Sequence, residues 1–217
     1  MSSDIIPLLT KALGETVYMV TVSMFIATLI GVPLGVLLYV TGKGQILESS
    51  LFNRVLGGLV NAVRSIPFII LMVAIIPFTR LLVGSAIGTT AAMVPLVIAS
   101  VPFIGRQVET SLNEVPYGLV EAALSMGATP LQIVTRVILP EAMPGIISQL
   151  TTVLIALVGE SAMAGAIGGG GLGDLAIRYG YQRFRPEVML ATVVILIILV
   201  QLVQFAGNYL SKKLNKK

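Results

Sequence analysis

The 217-residue sequence has no cysteine, no histidine and no tryptophan, and only 11% of its residues are charged. Without cysteine and histidine, zinc sites of the Cys/His type, thiol nucleophiles and Ser-His-Asp triads are excluded. The lack of cysteine leaves the redox compartment open. A soluble domain carries roughly 25% charged residues, so this chain has under half the usual supply. With 56% hydrophobic residues and a mean hydropathy of +0.97, it reads as an integral membrane protein. The net charge of +4 is modest, and the basic residues are scattered or sit at the ends of apolar runs, which does not suggest nucleic acid. In the opening stretch MSSDIIPLLTKALGE an acidic residue and a proline precede the first basic one, so it is not expected to be a cleavable signal peptide.

What is present is a succession of long apolar runs. The residues between Glu15 and Lys43 are uncharged, and about 20 residues suffice to cross the hydrocarbon core. Gly31, Pro33 and Gly35 lie inside this run, where membrane helices tolerate them and small residues allow close packing. Arg64 and Arg80 bracket only fifteen uncharged residues, short of a crossing, so the second span is expected to begin near Val55, with Pro67 and Pro77 kinking its ends. Expected spans are 15–40, 55–78, 90–108, 144–167 and 188–210, with Pro95 and Pro102 interrupting the third. Residues 41–54 read as a polar connection, and 168–187 as a glycine-rich, then aromatic-basic connector.

Five spans put the termini on opposite sides. Lys212, Lys213, Lys216 and Lys217 directly follow the last span, so the C-terminus is expected to be cytoplasmic and the N-terminus outside. Of fourteen Lys and Arg residues, nine then fall inside and five outside. Arg178, Arg183 and Arg185 are on the wrong side for the rule, either as a contact for a partner or anionic headgroups or as part of a solvated loop.

Residues 118–140, within the 109–141 stretch that is cytoplasmic in this topology, are too broken to span and too apolar to be a solvated linker. Pro116 suits a first helical position, Glu121 complements the helix dipole, and Gly127 is placed for a left-handed cap. Thr129, Pro130 and Gln132 spell a capping box for a second helix, which Pro140 is expected to stop. Leu119, Leu124, Met126, Leu131, Ile133, Val137 and Ile138 supply apolar surface, and Ala122, Ala123 and Ala128 allow close approach. Physically this is either a docking hairpin or an interfacial loop packed on its own spans.

The segment EAALSMGATPLQIVTRVILP resembles the EAA loop of ABC importer permeases, with Glu121, Ala122, Ala123, Gly127, Leu139 and Pro140 at the matching positions and Val137 where isoleucine is usual. NAVRSIPFIILMVAIIPFTR and SAMAGAIGGGGLGDLAIRYGYQRF are similar to the permeases of the methionine importer group, so that the resemblance covers roughly residues 60–210. It implies an all-α, five-span, N-out protomer, a single permease domain over 1–217, working as a homodimer in the bacterial inner membrane. It further implies coupling helices between spans 3 and 4, centred on Glu121, Ala122, Ala123, Gly127, Ala128, Pro130, Leu139 and Pro140. These would seat in two separate ATPase subunits, which bind the ATP and magnesium; this chain is expected to bind no cofactor or metal. An extracytoplasmic binding protein would deliver methionine, of either hand or as derivatives. The alternative within the class is another amino acid or small solute. An ion-coupled secondary transporter would want an inverted repeat and more intramembrane ionisable groups, and a passive anchor fewer prolines and glycines inside its spans.

Glu160 lies in an apolar run, where a carboxylate costs about 2.5–3.5 kcal/mol on insertion scales. It either lines the pathway, for which Ser161 and Met163 are further candidates, or lies near a helix end or is satisfied by Ser161 and nearby backbone. Arg64 lines the cytoplasmic mouth, braces the coupling loop, or snorkels to the interface. Gly168–Gly171 lacks the strand and the Lys-Ser/Thr of a phosphate loop. Tight turning or close backbone approach is the expected role there. The nine methionines are expected to serve flexible packing.

Overall fold

The computed structural model describes residues 5–215, and every regular element among them is helical. The first residues of the N-terminal stretch, and Lys216 and Lys217 of the basic tail, lie outside the described residues. Among the described residues four helices are long and apolar enough to cross a membrane, or five if one bent pair counts as a span. They are α1 (Ile5–Val40), α5 (Thr89–Asn113), the continuous run from α7 (Pro130–Ile133) through α8 (Leu139–Ala164), and α10 (Pro186–Leu214).

The second expected span is not one helix. It divides into α2 (Ser50–Arg64), α3 (Phe68–Ala74) and α4 (Ile76–Val83), with α2 and α3 bent by 96°. The break falls where proline chemistry puts it: the residue before Pro67 is steered out of the helical region, and Pro67 itself is extended (φ −56°, ψ 134°). Arg64 is the last residue of α2, at the start of the break.

The other prolines behave differently. Pro33 sits inside an unbroken α1 that begins at Ile5, ten residues before the expected start at 15. Pro95 and Pro102 leave α5 uninterrupted, and α5 runs to Asn113, taking in the first residues of the expected loop. Pro140 does not stop the second short helix. A π turn at Val134–Ile138 joins α7 to α8, and the Leu139 N–H reaches back five residues to the Val134 carbonyl. This wider turn sits just before the residue that has no N–H to donate, so the helix passes through. The 41–54 connection also ends early, at Ser50.

Contacts group the chain into two compact units. The first holds the chain through Ala27, Ile66–Ser100 and Leu154–Gln204. Its core packs Met19 and Val20 of α1, Met72 of α3, Ala92, Met93 and Leu96 of α5, and Leu157 and Val158 of α8. A second cluster joins Ala12 to Leu172, Leu175 and Val188. The expected connector in this unit is built structure. It turns at Gly168, Gly170 and Gly171, all with positive φ, and continues as α9 (Gly171–Leu175) and a π turn at Ala176–Tyr181. Close approach explains the glycines: a Cβ on Gly173 would overlap the Ala162 backbone, and one on Gly165 would stand 2.6 Å from the Asp174 nitrogen.

The second unit holds Thr28–Ser65, Val101–Val153 and the chain from Phe205. Gly31 and Gly35 form a small-xxx-small face on α1 that lets α5 close in. A Cβ on Gly31 would meet Ile104 at 2.7 Å, and one on Gly35 would meet the Gly105 carbonyl at 2.6 Å. Asn53 donates to the Leu38 carbonyl (2.7 Å), fixing α2 against the end of α1. Arg106 pairs with Glu109 (2.6 Å) and donates to the Gly57 carbonyl (3.1 Å), a partly buried charge held by two acceptors.

Candidate functional site

The hairpin singled out by the sequence lies wholly in the second unit. Its first helix, α6 (Tyr117–Ser125), starts one residue later than expected, with Pro116 as the capping residue rather than the first helical one. Gly127 follows the end of α6 with φ +77°, and its N–H returns to the Leu124 carbonyl (2.9 Å). That left-handed step costs a residue with a Cβ roughly 1–2 kcal/mol. At the start of α7 both halves of the capping box are made. The Thr129 N–H donates to Gln132 Oε1 (2.9 Å), and the Gln132 N–H donates to Thr129 Oγ1 (3.4 Å).

Two faces separate on this hairpin. Val120, Ala123, Ile133 and Ile138 are buried at 0–3% exposure and knit α6 to the following turn. Met126 (81%), Leu131 (73%), Leu124 and Leu119 stay exposed. Ile133 and Ile138, expected on the docking surface, instead form its foundation, and so does Ala123. The reason is geometric: the π turn rotates the helix by one residue, which carries Ile138 inward alongside Ile133. Glu121, Ala122, Gly127 and Pro130 are exposed, Ala128 and Leu139 half-buried, and Pro140 exposed beside Arg136 in a concave surface that Leu119 also lines.

The intramembrane candidates are placed as follows. In the first unit, Glu160 presents a buried Oε2 with no hydrogen-bond partner among the described residues. Ser161 does not satisfy it, because the Ser161 hydroxyl donates to the Val158 carbonyl (2.7 Å). Met163 is half exposed. In the second unit, Arg64 is exposed and lies over the Phe103 ring at 5.6 Å, a cation–π contact. Near the glycine turn, Arg178 pairs with Asp174 (2.8 Å), Arg185 with Glu187 (2.9 Å), and Arg183 stacks on Tyr179 (4.3 Å). No group of acidic residues able to hold a metal occurs among the described residues.

Sequence reasoning missed Glu15 and Thr16 as functional side chains. They accept the backbone N–H groups of Gly171 and Leu172, both at 2.8 Å, and so close the glycine turn against α1. The one available signal was a carboxylate directly before a long uncharged run.

Residues 31–216 match the family described as "Binding-protein-dependent transport system inner membrane component". The chain is 53% identical over 210 residues to the "Probable D-methionine transport system permease protein MetI" of Vibrio cholerae serotype O1, covering 97% of this chain and 93% of that protein. It is 53% identical over 165 residues to the "D-methionine transport system permease protein MetI" of Escherichia coli K12, covering 76% of each. A chain of the structure described as "Inward facing conformations of the MetNI methionine ABC transporter" superposes with a TM-score of 0.98 at 50% identity, over 100% of both chains. A chain of an amino acid ABC transporter superposes at 0.78 with 20% identity, a likeness of fold. The chain therefore belongs to the binding-protein-dependent transport system inner membrane components and is an ABC importer permease.

Proposed function

We propose that this chain, with a second copy of itself, forms the membrane pathway of a methionine importer. Two cytoplasmic ABC ATPase subunits drive it, and an extracytoplasmic binding protein supplies it. The observation that carries the coupling role is a hairpin whose inner side is filled by its own residues while Leu124, Met126 and Leu131 remain outside. An apolar face on a rigidly capped elbow is suited to a cleft in a partner. Methionine as the cargo is supported by the names of relatives at about half identity over nearly the whole chain, which print D-methionine, and by a structure described as a methionine ABC transporter.

The N-terminus is outside and the C-terminus cytoplasmic, which puts the hairpin on the side where ATP is. The partner hydrolyses ATP and holds its magnesium; this chain is not an enzyme and supplies the hinge and the path. ATP binding closes the two ATPase subunits, the hairpins move with them, and the helices exchange an inward-open for an outward-open arrangement. Glu121, Ala122, Gly127, Ala128 and Pro130 present the elbow. Leu139 and Pro140 transmit its displacement, because α7 runs through the π turn into α8 as far as Ala164 and a push on α7 is a push on α8. Glu160, Ser161, Met163 and Arg64 are the pathway candidates.

The test is reconstitution with the ATPase and binding protein, followed by ATP-dependent uptake of D- and L-methionine. Leu131→Glu and Glu121→Arg are expected to lose the ATPase on purification while the permease stays folded. Retention of a fully coupled ATPase in both variants would overturn the hairpin's role. Uptake of a different solute, with methionine ignored, would overturn the cargo.

A further inference from the structure

Among the described residues Phe184 alone, glycines apart, has a positive φ (52°), and its ring is 86% exposed. Both features are unfavourable in water, because the left-handed region is sterically costly for a bulky side chain and an exposed ring forgoes burial. The conformation is nonetheless well held. The Gln182 N–H donates to the Ile177 carbonyl (2.9 Å) and the Arg185 N–H to the Gly180 carbonyl (3.1 Å). Gly180 is pressed against the start of α10, where a Cβ on it would stand 2.9 Å from that of Met189. This elbow leaves Tyr181 (69%), Gln182, Arg183 and Phe184 exposed in succession.

The helix that the elbow enters fixes its depth in a bilayer. α10 has 29 residues, which makes it about 43 Å long, and a bilayer with its headgroup regions is about 40–45 Å thick. Beyond its first turn Leu190, Val193, Val194, Ile197 and Ile198 are exposed along one side, a stripe that suits lipid, and its last turn carries Lys212 and Lys213. The residues directly before Pro186 therefore sit at headgroup level, where aromatic rings and arginine are both at home. Charge gives the sign of the headgroup. Arg178 pairs with Asp174 and Arg185 with Glu187, while Arg183 lies over the Tyr179 ring (4.3 Å) and meets no carboxylate among the described residues. Tyr179 itself packs on the cluster around Ala12, Leu172 and Val188, so the surplus cation has a fixed seat. An arginine fork binds a phosphate through parallel hydrogen bonds. We propose that the elbow at residues 181–184 anchors an anionic phospholipid in the leaflet where α10 begins. Phe184 and Tyr181 enter the boundary between headgroups and acyl chains, and Arg183 holds the phosphate. A protein docked on the same elbow is the competing occupant; the headgroup depth of the elbow and the lipid-suited stripe that follows it favour the membrane. In the orientation proposed above, the anchor also accounts for Arg183 on the side where few basic residues are expected.

The sequence has no tryptophan, so Phe184→Trp introduces a single fluorophore at the elbow. The full-length chain is placed in nanodiscs of phosphatidylethanolamine and phosphatidylglycerol, and quenching by acrylamide from the water is compared with quenching by phosphatidylglycerol brominated near the headgroup end of its chains. Tyr181→Trp gives the same reading from the preceding turn if position 184 does not tolerate tryptophan. The expected result is strong quenching by the brominated lipid and shielding from acrylamide. In native mass spectrometry the wild-type chain is expected to retain phosphatidylglycerol over phosphatidylethanolamine. Arg183→Gln should lower that retention about fivefold, the weight of one basic residue at a charged membrane surface. Arg183→Lys should keep part of it. A fluorophore open to acrylamide and untouched by brominated lipid overturns the anchor. Phosphatidylglycerol retention unchanged in Arg183→Gln overturns the phosphate contact. Shielding from acrylamide that appears only on addition of the binding protein assigns the elbow to a protein partner and also overturns the proposal. None of these readings depends on the cargo or on the ATPase, so the import function proposed above stands or falls separately.

Discussion

Glu15 and Gly171 stand 156 residues apart in the chain and meet through a 2.8 Å hydrogen bond in which the Gly171 N–H donates to Glu15 Oε2. The next residue on each side repeats the contact, Leu172 N–H to Thr16 Oγ1. Gly170 cannot cap α9, having no side chain, so α1 supplies the acceptors that the turn lacks. The φ of +76° at Gly171 and the space taken by Thr16 beside it leave no room for another residue type.

Thr16→Val keeps the shape of the side chain and leaves the Leu172 N–H buried without an acceptor. The expected loss is about 1–3 kcal/mol of stability. Glu15→Ala removes a bond to a charged acceptor, worth about 1.5–3 kcal/mol, at the low end here because the carboxylate is 30% exposed and also faces Lys11 at 3.9 Å. Glu15→Gln retains an acceptor oxygen and is expected to lose less. Thermal unfolding in detergent, with amide exchange read at residues 171 and 172, checks the order. Wild-type exchange in Thr16→Val would show that the cap carries no weight.

Two glycines of the same helix are expected to respond with opposite sign. A Cβ on Gly35 would lie 2.6 Å from both the Gly105 carbonyl oxygen and the Val108 Cβ, whereas one on Gly14 meets nothing within 4 Å. Gly35→Ala should therefore destabilise by roughly 1–3 kcal/mol through overpacking. Gly14→Ala should stabilise by roughly 0.5–1 kcal/mol, since glycine inside a helix carries an entropic cost. Melting temperatures of the two variants against wild type suffice. A fall in both would mean that Gly14 has a neighbour in the assembled protein.

Capping and turn chemistry were legible in the sequence because they are local. Gly127 and the Thr129–Gln132 box are fixed by residues within four positions of one another. Which prolines break a helix was not legible. Pro67 does, while Pro33, Pro95, Pro102 and Pro140 do not. The outcome at each proline depends on the local turn geometry around it, such as the π turn just ahead of Pro140, and that is not spelled by the residue itself. The inward turn of Ile138 follows from the same π turn and was hidden for the same reason. Glu15 and Thr16 were missed because their partners are backbone atoms far along the chain. No periodicity links residues 15–16 to 171–172.

Gly127 has φ +77° and open space where a Cβ would go, so a substitution there is penalised by backbone conformation alone. Gly127→Ala is expected to weaken the elbow by about 1–2 kcal/mol. Gly127→Asn should cost less, because asparagine visits the left-handed region more readily. If the elbow seats in the ATPase, recovery of that subunit on affinity purification falls in the order Gly, Asn, Ala, while the melting temperature of the permease alone changes little. Equal recovery across the three would place the ATPase contact elsewhere.

Glu160 distinguishes a structural carboxylate from a functional one. Its Oε2 is buried without a hydrogen-bond partner among the described residues, and Ser161 is already committed to the Val158 carbonyl. A charge held in an apolar helix without compensation costs about 2.5–3.5 kcal/mol, so a purely structural role would be better filled by glutamine, which has the same shape and no charge. Glu160→Gln is therefore expected to keep or raise the melting temperature and leave assembly with the ATPase intact. If the carboxylate serves the pathway, the initial rate of uptake falls in the same preparation, and Glu160→Asp recovers part of it. Stability and uptake measured side by side separate the two roles. A variant that is as stable as wild type and transports at the wild-type rate across the pH range would remove Glu160 from the mechanism.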